Sequence, residues 1–355
     1  MKNREAVEYL VTSELLDYSV LTQDKTLDLL RKYQFGLCLC VHEDQLNNQL
    51  HLICRACKNS GIPLILWPLL SESKGLYLNK YSVKVYNRYL DQLFQWLDEH
   101  EHIIYGLLVD CEPDYEAPKT ESFSPVLENI WDNLRDLDEA AFNAAVQEFM
   151  QIINKIKSHG CKAIGAAMPF VCHDILEKSQ AWQDYWGGPV VGLNWDMLVF
   201  MLFGSWFVQM GMDWPTAHYL IYDYTKTIKK IWRGKAVVAL GVTAPGTGAE
   251  SAIYRTPEEL AAAVSVVKAA SMKRIGIYDL KGIIESKDPE SWFRQIKNAP
   301  PLKPETLSLG KGRKIEYWKI GLYKCFVKII GGILKQIRAS KTLIRQFLRK
   351  LKNCY

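Results

Sequence analysis

The chain has 355 residues, 48% hydrophobic and 23% charged, with a formal net charge of +5, a composition typical of a globular protein with a full-sized core. It has no uncharged run long enough to span a bilayer, and its charged first residues lack the apolar segment of an export signal. Nine cysteines, an odd number mostly set in apolar patterns, favour reduced thiols in a cytoplasmic protein over a disulfide framework.

Apolar runs of strand length alternate with helical patterns along residues 5–300. Each strand is a short continuous apolar run, and each helix repeats apolar residues on one face. The predicted strands lie within residues 5–16, 35–41, 62–70, 103–112, 161–169, 190–195, 236–243 and 274–280. The predicted helices cover residues 24–33, 43–59, 82–100, 139–159, 173–178, 216–233, 256–272 and 288–297.

Eight such units in succession predict an α/β protein, a closed parallel (β/α)8 TIM barrel over residues 1–300, with an open doubly wound sheet as the alternative. The clearest helix start is Thr256 as N-cap, followed by Pro257 and by Glu259 in a capping-box position. We expect a Pro-rich linker at residues 301–310 and a basic amphipathic helical tail at residues 311–355.

The fourth strand ends abruptly in acidic residues. Ile103 to Val109 is apolar, and Asp110 and Glu112 follow at positions that point to the same side of an extended chain. Two carboxylates where a buried sheet meets solvent should raise at least one pKa, which is how a general acid is made at neutral pH. They are either a catalytic pair or strand-end residues satisfied by lysines or backbone amides.

The other strand ends are also rich in acidic and aromatic side chains. In a barrel the active site lies at the carboxyl ends of the strands, and this set suggests a sugar site, where carboxylates act on a glycosidic bond and aromatic faces cover the ring. The candidate substrate-binding residues are Glu14, His42, Trp67, Met168, Asn194, Trp195, Asp196, Tyr278 and Asp279.

Phosphate and metal chemistry are less favoured at these ends. The only glycine-rich candidate, residues 245–248, lacks a basic partner, and no histidine pair has ligand spacing. Cys54 and Cys57 form a lone C-x-x-C inside a helical pattern, which we interpret as helix core. We therefore predict no cofactor and no metal, although carboxylates alone leave little sequence signature for a hard cation.

The end of strand four resembles the D-x-x-D-x-D-x-E motif of the chitinase-type family 18 glycoside hydrolases. Residues 105–112 align with it and keep Asp110 and Glu112. Residues 166–169 look like the A-M-P segment of that family, and residues 194–196 stand where it has Met-x-Tyr-Asp. The resemblance implies a TIM-barrel enzyme acting on a carbohydrate or glycoconjugate.

The resemblance also implies roles for the two acids. Glu112 would protonate the leaving oxygen, and Asp110 would orient the N-acetyl group of the substrate, which attacks the anomeric carbon. The sequence departs from the motif at Tyr105 and Leu108, which replace its first two aspartates, and at Trp195, which replaces a tyrosine. A glycoside-hydrolase-like enzyme is the main hypothesis, and a non-catalytic sugar-binding or membrane-associated barrel is the alternative.

Three further candidates have two interpretations each. Trp67 and Trp195 are either sugar-stacking side chains or plugs of the barrel mouth, and His42 is either a partner of the acids or a structural group.

The last 45 residues are strongly basic. From Lys311 to Lys352 there are 13 Lys and Arg against the single Glu316, about +12, which leaves residues 1–310 at −7. The pattern predicts one or two amphipathic helices, with a kink or break at Gly331 and Gly332. An anionic membrane surface is the favoured partner, docking on the acidic body is second, and nucleic acid is unlikely. We expect a cytoplasmic protein, peripheral on the inner membrane face.

Overall fold

Eight parallel strands close into a barrel in chain order, which confirms the predicted (β/α)8 architecture. The computed structural model describes residues 7–113, 137–244, 254–303 and 316–352, with side chains as far as Leu343. The strands are Tyr9–Ser13 (β1), Phe35–His42 (β2), Leu64–Leu69 (β3), Gly106–Asp110 (β4), Lys162–Ala167 (β5), Met197–Met201 (β6), Ala236–Gly241 (β7) and Ile275–Tyr278 (β8). Pairing of β8 with β1 closes the barrel.

The helices lie outside this sheet. They are Tyr18–Leu21 (α1), Asp24–Lys32 (α2), Asn48–Asn59 (α3), Val83–Glu99 (α4), Glu139–Ser158 (α5), Val171–Glu177 (α6), Ala181–Tyr185 (α7), Gly204–Gln209 (α8), Trp214–Trp232 (α9), Pro257–Ala269 (α10), Leu280–Ile284 (α11), Pro289–Asn298 (α12) and Tyr317–Lys352 (α13). The predicted start of α10 is confirmed, since the Thr256 side chain accepts a hydrogen bond from the Glu259 amide.

The core has two layers because alternate strand residues face opposite sides of the sheet. One set packs between the sheet and the helices. The other fills the barrel interior with residues such as Ile65, Leu108, Ile164 and Val199. The barrel interior is thus filled by side chains, and the carboxyl end is where a barrel of this kind binds a ligand.

The predicted sixth strand, residues 190–195, is wrong. That segment is a loop with Gly192 and Asn194 exposed, and its Val190 and Val191 amides donate to the Gln183 side-chain oxygen (2.9 and 2.7 Å), so these amides need no neighbouring strand. The strand is the following apolar run, Met197–Met201. Both runs are apolar, and the hydrogen bonds to the Gln183 side chain favour a loop for the first.

The carboxyl-terminal helix α13 docks on the barrel. It contacts α5, α7 and α9, and it buries Ile320, Tyr323, Val327 and Leu334. The predicted break at Gly331 and Gly332 is absent, because α13 continues through both. A side chain on Gly331 would stand 3.0 Å from Trp182 Nε1, so this glycine allows the close approach of the helix to α7.

Ion pairs hold the same helix. Arg338 Nε lies 3.0 Å from Asp184 Oδ2, and Lys80 Nζ contacts the other oxygen of that fully buried carboxylate. Nearer the surface, Lys324 pairs with Asp223 at 2.7 Å. Docking on the body, the second of the predicted partners, therefore accounts for the inward face of α13, and membrane contact through that face is not supported. Within the described ranges, no helix is long and apolar enough to cross a membrane.

Some predictions lie outside the described residues. These are the glycine-rich segment 245–248, the greater part of the linker at 304–310, and residues 353–355. The division into barrel, linker and tail stays a prediction.

Candidate active site

Asp110 and Glu112 lie at the carboxyl end of β4, as predicted. Their backbone stays extended because the Leu78 amide donates to the Asp110 carbonyl (3.0 Å) and the Cys111 amide donates to the Ala166 carbonyl (3.3 Å). Alternation along this segment gives both acids the inward direction of Leu108, a barrel-interior residue. Asp110 is 4% exposed, and Glu112 above it is half-buried.

Burial of the Asp110 carboxyl favours its neutral form. Burial raises its pKa well above the ordinary value, and the charges of Glu112 and Glu14 raise it further. Among the described residues, its Oδ1 atom has no hydrogen-bond partner, although it is buried. Beside it lie the buried thiols of Cys38 and Cys40, whose pKa values are also raised by burial and by the Asp110 charge. A buried carboxyl with a raised pKa is a common feature of sites of acid–base catalysis.

A second acidic group spans the seam between β8 and β1. The Tyr278 hydroxyl donates to Glu14 Oε2, and the Glu14 amide donates to Asp279 Oδ2 at 3.4 Å. Since Glu14 acts on the charge state of Asp110, the two acidic groups are near neighbours in the mouth. Three of the predicted acids, Glu14, Asp110 and Glu112, are therefore brought together.

Asp279 has a structural role at this seam between β8 and β1. Its Oδ1 accepts from the Lys281 amide (2.9 Å) and caps α11, while its carbonyl accepts from Thr243 Oγ1 (2.5 Å). Burial is the largest cause that raises the pKa of Asp279 to about 6, and the donated hydrogen bonds act in the opposite direction. With these bonds Asp279 holds β7, β8 and β1 in place around the mouth.

Trp67 and Met168 lie in the mouth at the ends of β3 and β5 and are both buried. The Trp67 indole nitrogen has no hydrogen-bond partner among the residues described. His42, at the end of β2, is engaged in a cap: its amide donates to Gln45 Oε1 at 2.7 Å, and its ring accepts from the Gln45 amide. These bonds give His42 a structural role, and its Nε2 also lies 3.7 Å from Cys40 Sγ, so a part beside the acids stays a prediction.

The predicted positions of Asn194, Trp195 and Asp196 are wrong. Because β6 starts at Met197, these residues lie at the amino end of the strand, at the opposite end of the barrel from Asp110. The Asp196 carboxylate accepts from the Ala163 amide (2.9 Å) at the start of β5. Trp195 is buried and donates to the Val190 carbonyl (3.1 Å), and it packs against Gly165 in the layer between the sheet and the helices.

The true end of β6 supplies an apolar wall that the sequence interpretation missed. Met201 and Phe203 pack in the barrel interior, and the Phe203 ring lies 4.7 Å from the Trp206 ring and 5.4 Å from the Tyr278 ring. With Met168 after the neighbouring strand, these side chains form a wall of the mouth that adjoins Tyr278, the hydrogen-bond partner of Glu14. The sequence contains a signal for this wall, since Leu202 and Phe203 extend the apolar run of β6 as far as Gly204.

Gly187 lies directly against the acidic pair. A side chain at this position would stand 2.7 Å from the Glu112 carbonyl oxygen, and its φ of +98° suits glycine. The Gly187 carbonyl in turn accepts from the Lys80 amide at 2.7 Å. Lys80, whose ammonium pairs with Asp184, was also missed, because its partners come from distant parts of the chain.

In the parts of the chain that the structure describes, no group of three or more His, Cys, Asp and Glu side chains is arranged to hold a metal ion. The predicted absence of a cofactor stays a prediction.

Comparison with known proteins finds similarity in fold. No family model and no curated protein matches the chain. Among solved structures, the PgaB (BpsB) glycoside hydrolase domain from Bordetella bronchiseptica matches with a TM-score of 0.50 and 8% identity over 82% of this chain and 99% of that one.

Two weaker matches have different activities in their names. A family GH18 chitinase catalytic domain from the fern Peteris ryukyuensis has a TM-score of 0.46 at 12% identity, over 82% and 98% of the two chains. A tryptophan synthase alpha-subunit from Pyrococcus furiosus has a TM-score of 0.40 at 17% identity, over 82% and 94%. At such identities the comparisons show the fold alone: a TIM barrel like those of glycoside hydrolases.

Proposed function

We propose that this protein hydrolyses a glycosidic bond in a glycan or glycoconjugate, with Glu112 as general acid and Asp110 as its partner. The observation that carries the proposal is the buried Asp110, with its raised pKa, directly beneath Glu112 at the carboxyl end of a barrel strand. Glu112 is the more exposed of the two and is the one that can reach a substrate.

In this reaction the Glu112 carboxyl gives its proton to the glycosidic oxygen while the bond from that oxygen to the anomeric carbon breaks. Water then adds its oxygen to the anomeric carbon and returns a proton to the carboxylates. Asp110, whose pKa is raised by burial, lies directly beneath Glu112 and serves as the partner of that acid in the mouth.

The mixed lining of the mouth favours a glycoconjugate as substrate. The acids of β4, β1 and β8 share the mouth with the apolar wall of Met168, Phe203 and Trp206, and the Phe203 ring stacks beside Tyr278, the partner of Glu14. A sugar ring would meet the acids through its hydroxyl groups, and an apolar aglycone would pack on the wall. Alkyl or aryl glycosides are therefore expected to be better substrates than methyl glycosides.

The test is hydrolysis of a panel of alkyl and aryl glycosides by the wild type, Glu112→Gln and Glu72→Gln. Glu72 is an exposed glutamate in the turn after β3 and serves as the matched control. We expect Glu112→Gln to lose at least a hundredfold in kcat, within the usual range for a general acid of about 10²–10⁴, and Glu72→Gln to keep the wild-type rate. Equal rates for all three proteins would exclude Glu112 as the acid.

A non-catalytic, sugar-binding barrel is the second candidate. Tyr105 and Leu108 in place of the motif's aspartates favour it, and so does the position of Trp195, away from the mouth. Calorimetric binding of a saccharide without turnover of any glycoside in the panel would support this function over hydrolysis.

We also propose an anionic membrane surface as a partner of residues 311–355. Since one face of α13 is buried on the barrel, the contact is limited to the exposed residues of that helix. The location on the inner membrane face stays a prediction.

A further inference from the structure

The outward side of α13 carries a row of large apolar side chains. Their exposed fractions are 65% for Trp318, 63% for Leu322, 45% for Phe326, 55% for Ile329 and 40% for Ile333. Successive members are four, four, three and four residues apart, the spacing of a single stripe along a helix. We call these five residues the outward stripe.

The outward stripe is distinct from the face that holds α13 on the barrel. That inward face consists of Ile320, Tyr323, Val327 and Leu334, all of them buried. The helix therefore has two apolar faces, of which the barrel covers one. A contiguous exposed apolar surface of this kind marks an interaction site more often than it marks plain solvent-facing helix.

Basic residues accompany the stripe. Lys328 and Lys335 are exposed on the same helix, and Glu316 is the only acidic residue in the final 45 residues. The partner of the stripe must therefore accept apolar side chains and a positive charge at the same time. An anionic lipid surface does both, since its acyl boundary takes the apolar groups and its headgroups attract the lysines.

We propose that the outward stripe seats this protein on an anionic lipid surface, with α13 lying in the plane of the interface and the barrel on its solvent side. This rests on the proposed membrane partner and identifies the residues that make the contact. Trp318, at one end of the stripe, suits the headgroup level, where indole rings concentrate. At about 1.5 Å per residue, the 16 residues from Trp318 to Ile333 would extend about 24 Å along the surface.

Other occupants fit less well. In a symmetric dimer the same surface of both copies would meet, which would bring two basic helices together. Nucleic acid would attract the lysines but would leave the apolar stripe without a matching surface.

The experiment is co-sedimentation of the full chain with phosphatidylcholine vesicles, with and without phosphatidylserine. The variants are the double substitution F326S/I329S on the stripe and K328Q/K335Q beside it. The matched control is L52S/I103S, which changes two exposed apolar residues elsewhere on the surface. Deletion of the whole helix is avoided because it would also uncover the inward face.

We expect the wild type and the control to bind the vesicles that contain phosphatidylserine. F326S/I329S should bind at least about tenfold more weakly, since interfacial binding scales with the apolar area inserted. K328Q/K335Q should bind more weakly and with less dependence on salt. Thermal unfolding temperatures equal to that of the wild type would show that the variants are folded.

Three results would overturn the proposal. If the wild type does not bind vesicles containing phosphatidylserine, the membrane partner itself fails. If the wild type and F326S/I329S bind equally well, the membrane is still a partner of the protein, but the outward stripe does not make the contact. If light scattering finds a wild-type dimer that F326S/I329S converts to a monomer, the stripe is an interface between copies of the chain.

Discussion

The hydroxyl of Tyr278 donates a hydrogen bond to the Glu14 carboxylate, and this contact joins the last strand of the barrel to the first at the mouth. The two residues are 264 positions apart in the chain, so the bond forms only when β8 has paired with β1. It fixes one of the three acids around the candidate active site.

Replacement of Tyr278 by phenylalanine should weaken this seam. A hydrogen bond to a charged group stabilises by about 1.5–3 kcal/mol when buried, and since both side chains are half-buried we expect a loss of about 1–2 kcal/mol in the free energy of unfolding. Urea unfolding of the variant and the wild type measures it. An unchanged free energy of unfolding would mean that hydrogen bonds from water stabilise the Glu14 carboxylate as well as the bond from Tyr278 does.

The free energy of unfolding should depend on pH because Asp110 and Asp279 are buried acids. The pKa of Asp279 is raised from 3.8 to about 6, and that of Asp110 is raised well above 3.8. Folding therefore takes up protons, and the contribution of both groups is fully present below pH 3.8 and is lost as the pH rises through the folded pKa values. Asp110→Asn, which cannot ionise, should flatten this decline.

Urea unfolding between pH 4 and pH 8 measures the decline. At pH 7 we expect Asp110→Asn to be at least as stable as the wild type, although the proposed glycoside hydrolysis should be lost. Asp98→Asn, at an exposed position on α4, is the control and should follow the wild-type curve. A steeper decline for Asp110→Asn than for the wild type would contradict the direction of the Asp110 shift.

Arg338→Met should destabilise more than Lys324→Met. Arg338 pairs with the fully buried Asp184, and loss of one partner of a buried pair costs about 3–5 kcal/mol; we expect about 2–3 because Lys80 remains in contact. Lys324 pairs with Asp223 at the surface, where such pairs contribute about 0–1 kcal/mol. Equal losses in urea unfolding would show that the Asp184 carboxylate is satisfied by Lys80 alone.

Gly187→Ala should disturb the acidic pair. The positive φ costs a residue with a side chain about 1–3 kcal/mol, and the added carbon would also press on the Glu112 carbonyl oxygen. Gly211→Ala is the matched control, since Gly211 has a φ of +82° but open space around it. Both variants should have a lower free energy of unfolding than the wild type. Only Gly187→Ala should also have a lower kcat.

The sequence was sufficient for the barrel and for the acids of β4. A short apolar run followed at once by Asp110 and Glu112 predicts a strand that ends in two acids, whatever their role, and the capping pattern at Thr256 depends on neighbouring residues only. The end of β6 could not be predicted in this way. Val190 and Val191 resemble a strand as well as Met197 does, and the hydrogen bonds to the Gln183 side chain favour a loop for the first.

Contacts between residues that are far apart in the chain could likewise not be predicted from local sequence patterns. Lys80, Asp184 and Arg338 meet only in the folded chain, and each alone resembles an ordinary surface residue. The cap that joins His42 and Gln45 could have been predicted from the sequence, since the two are three residues apart, as in a capping box.

The burial of Asp184 has a consequence for the order of events during synthesis. Its second cation, Arg338, comes 154 residues later in the chain. While the polypeptide is being made, the Asp184 carboxylate has only Lys80 to balance its charge, although every strand of the barrel has already been synthesised. The loop that carries Gly187, and through it the Glu112 backbone, reaches its final support only when α13 arrives.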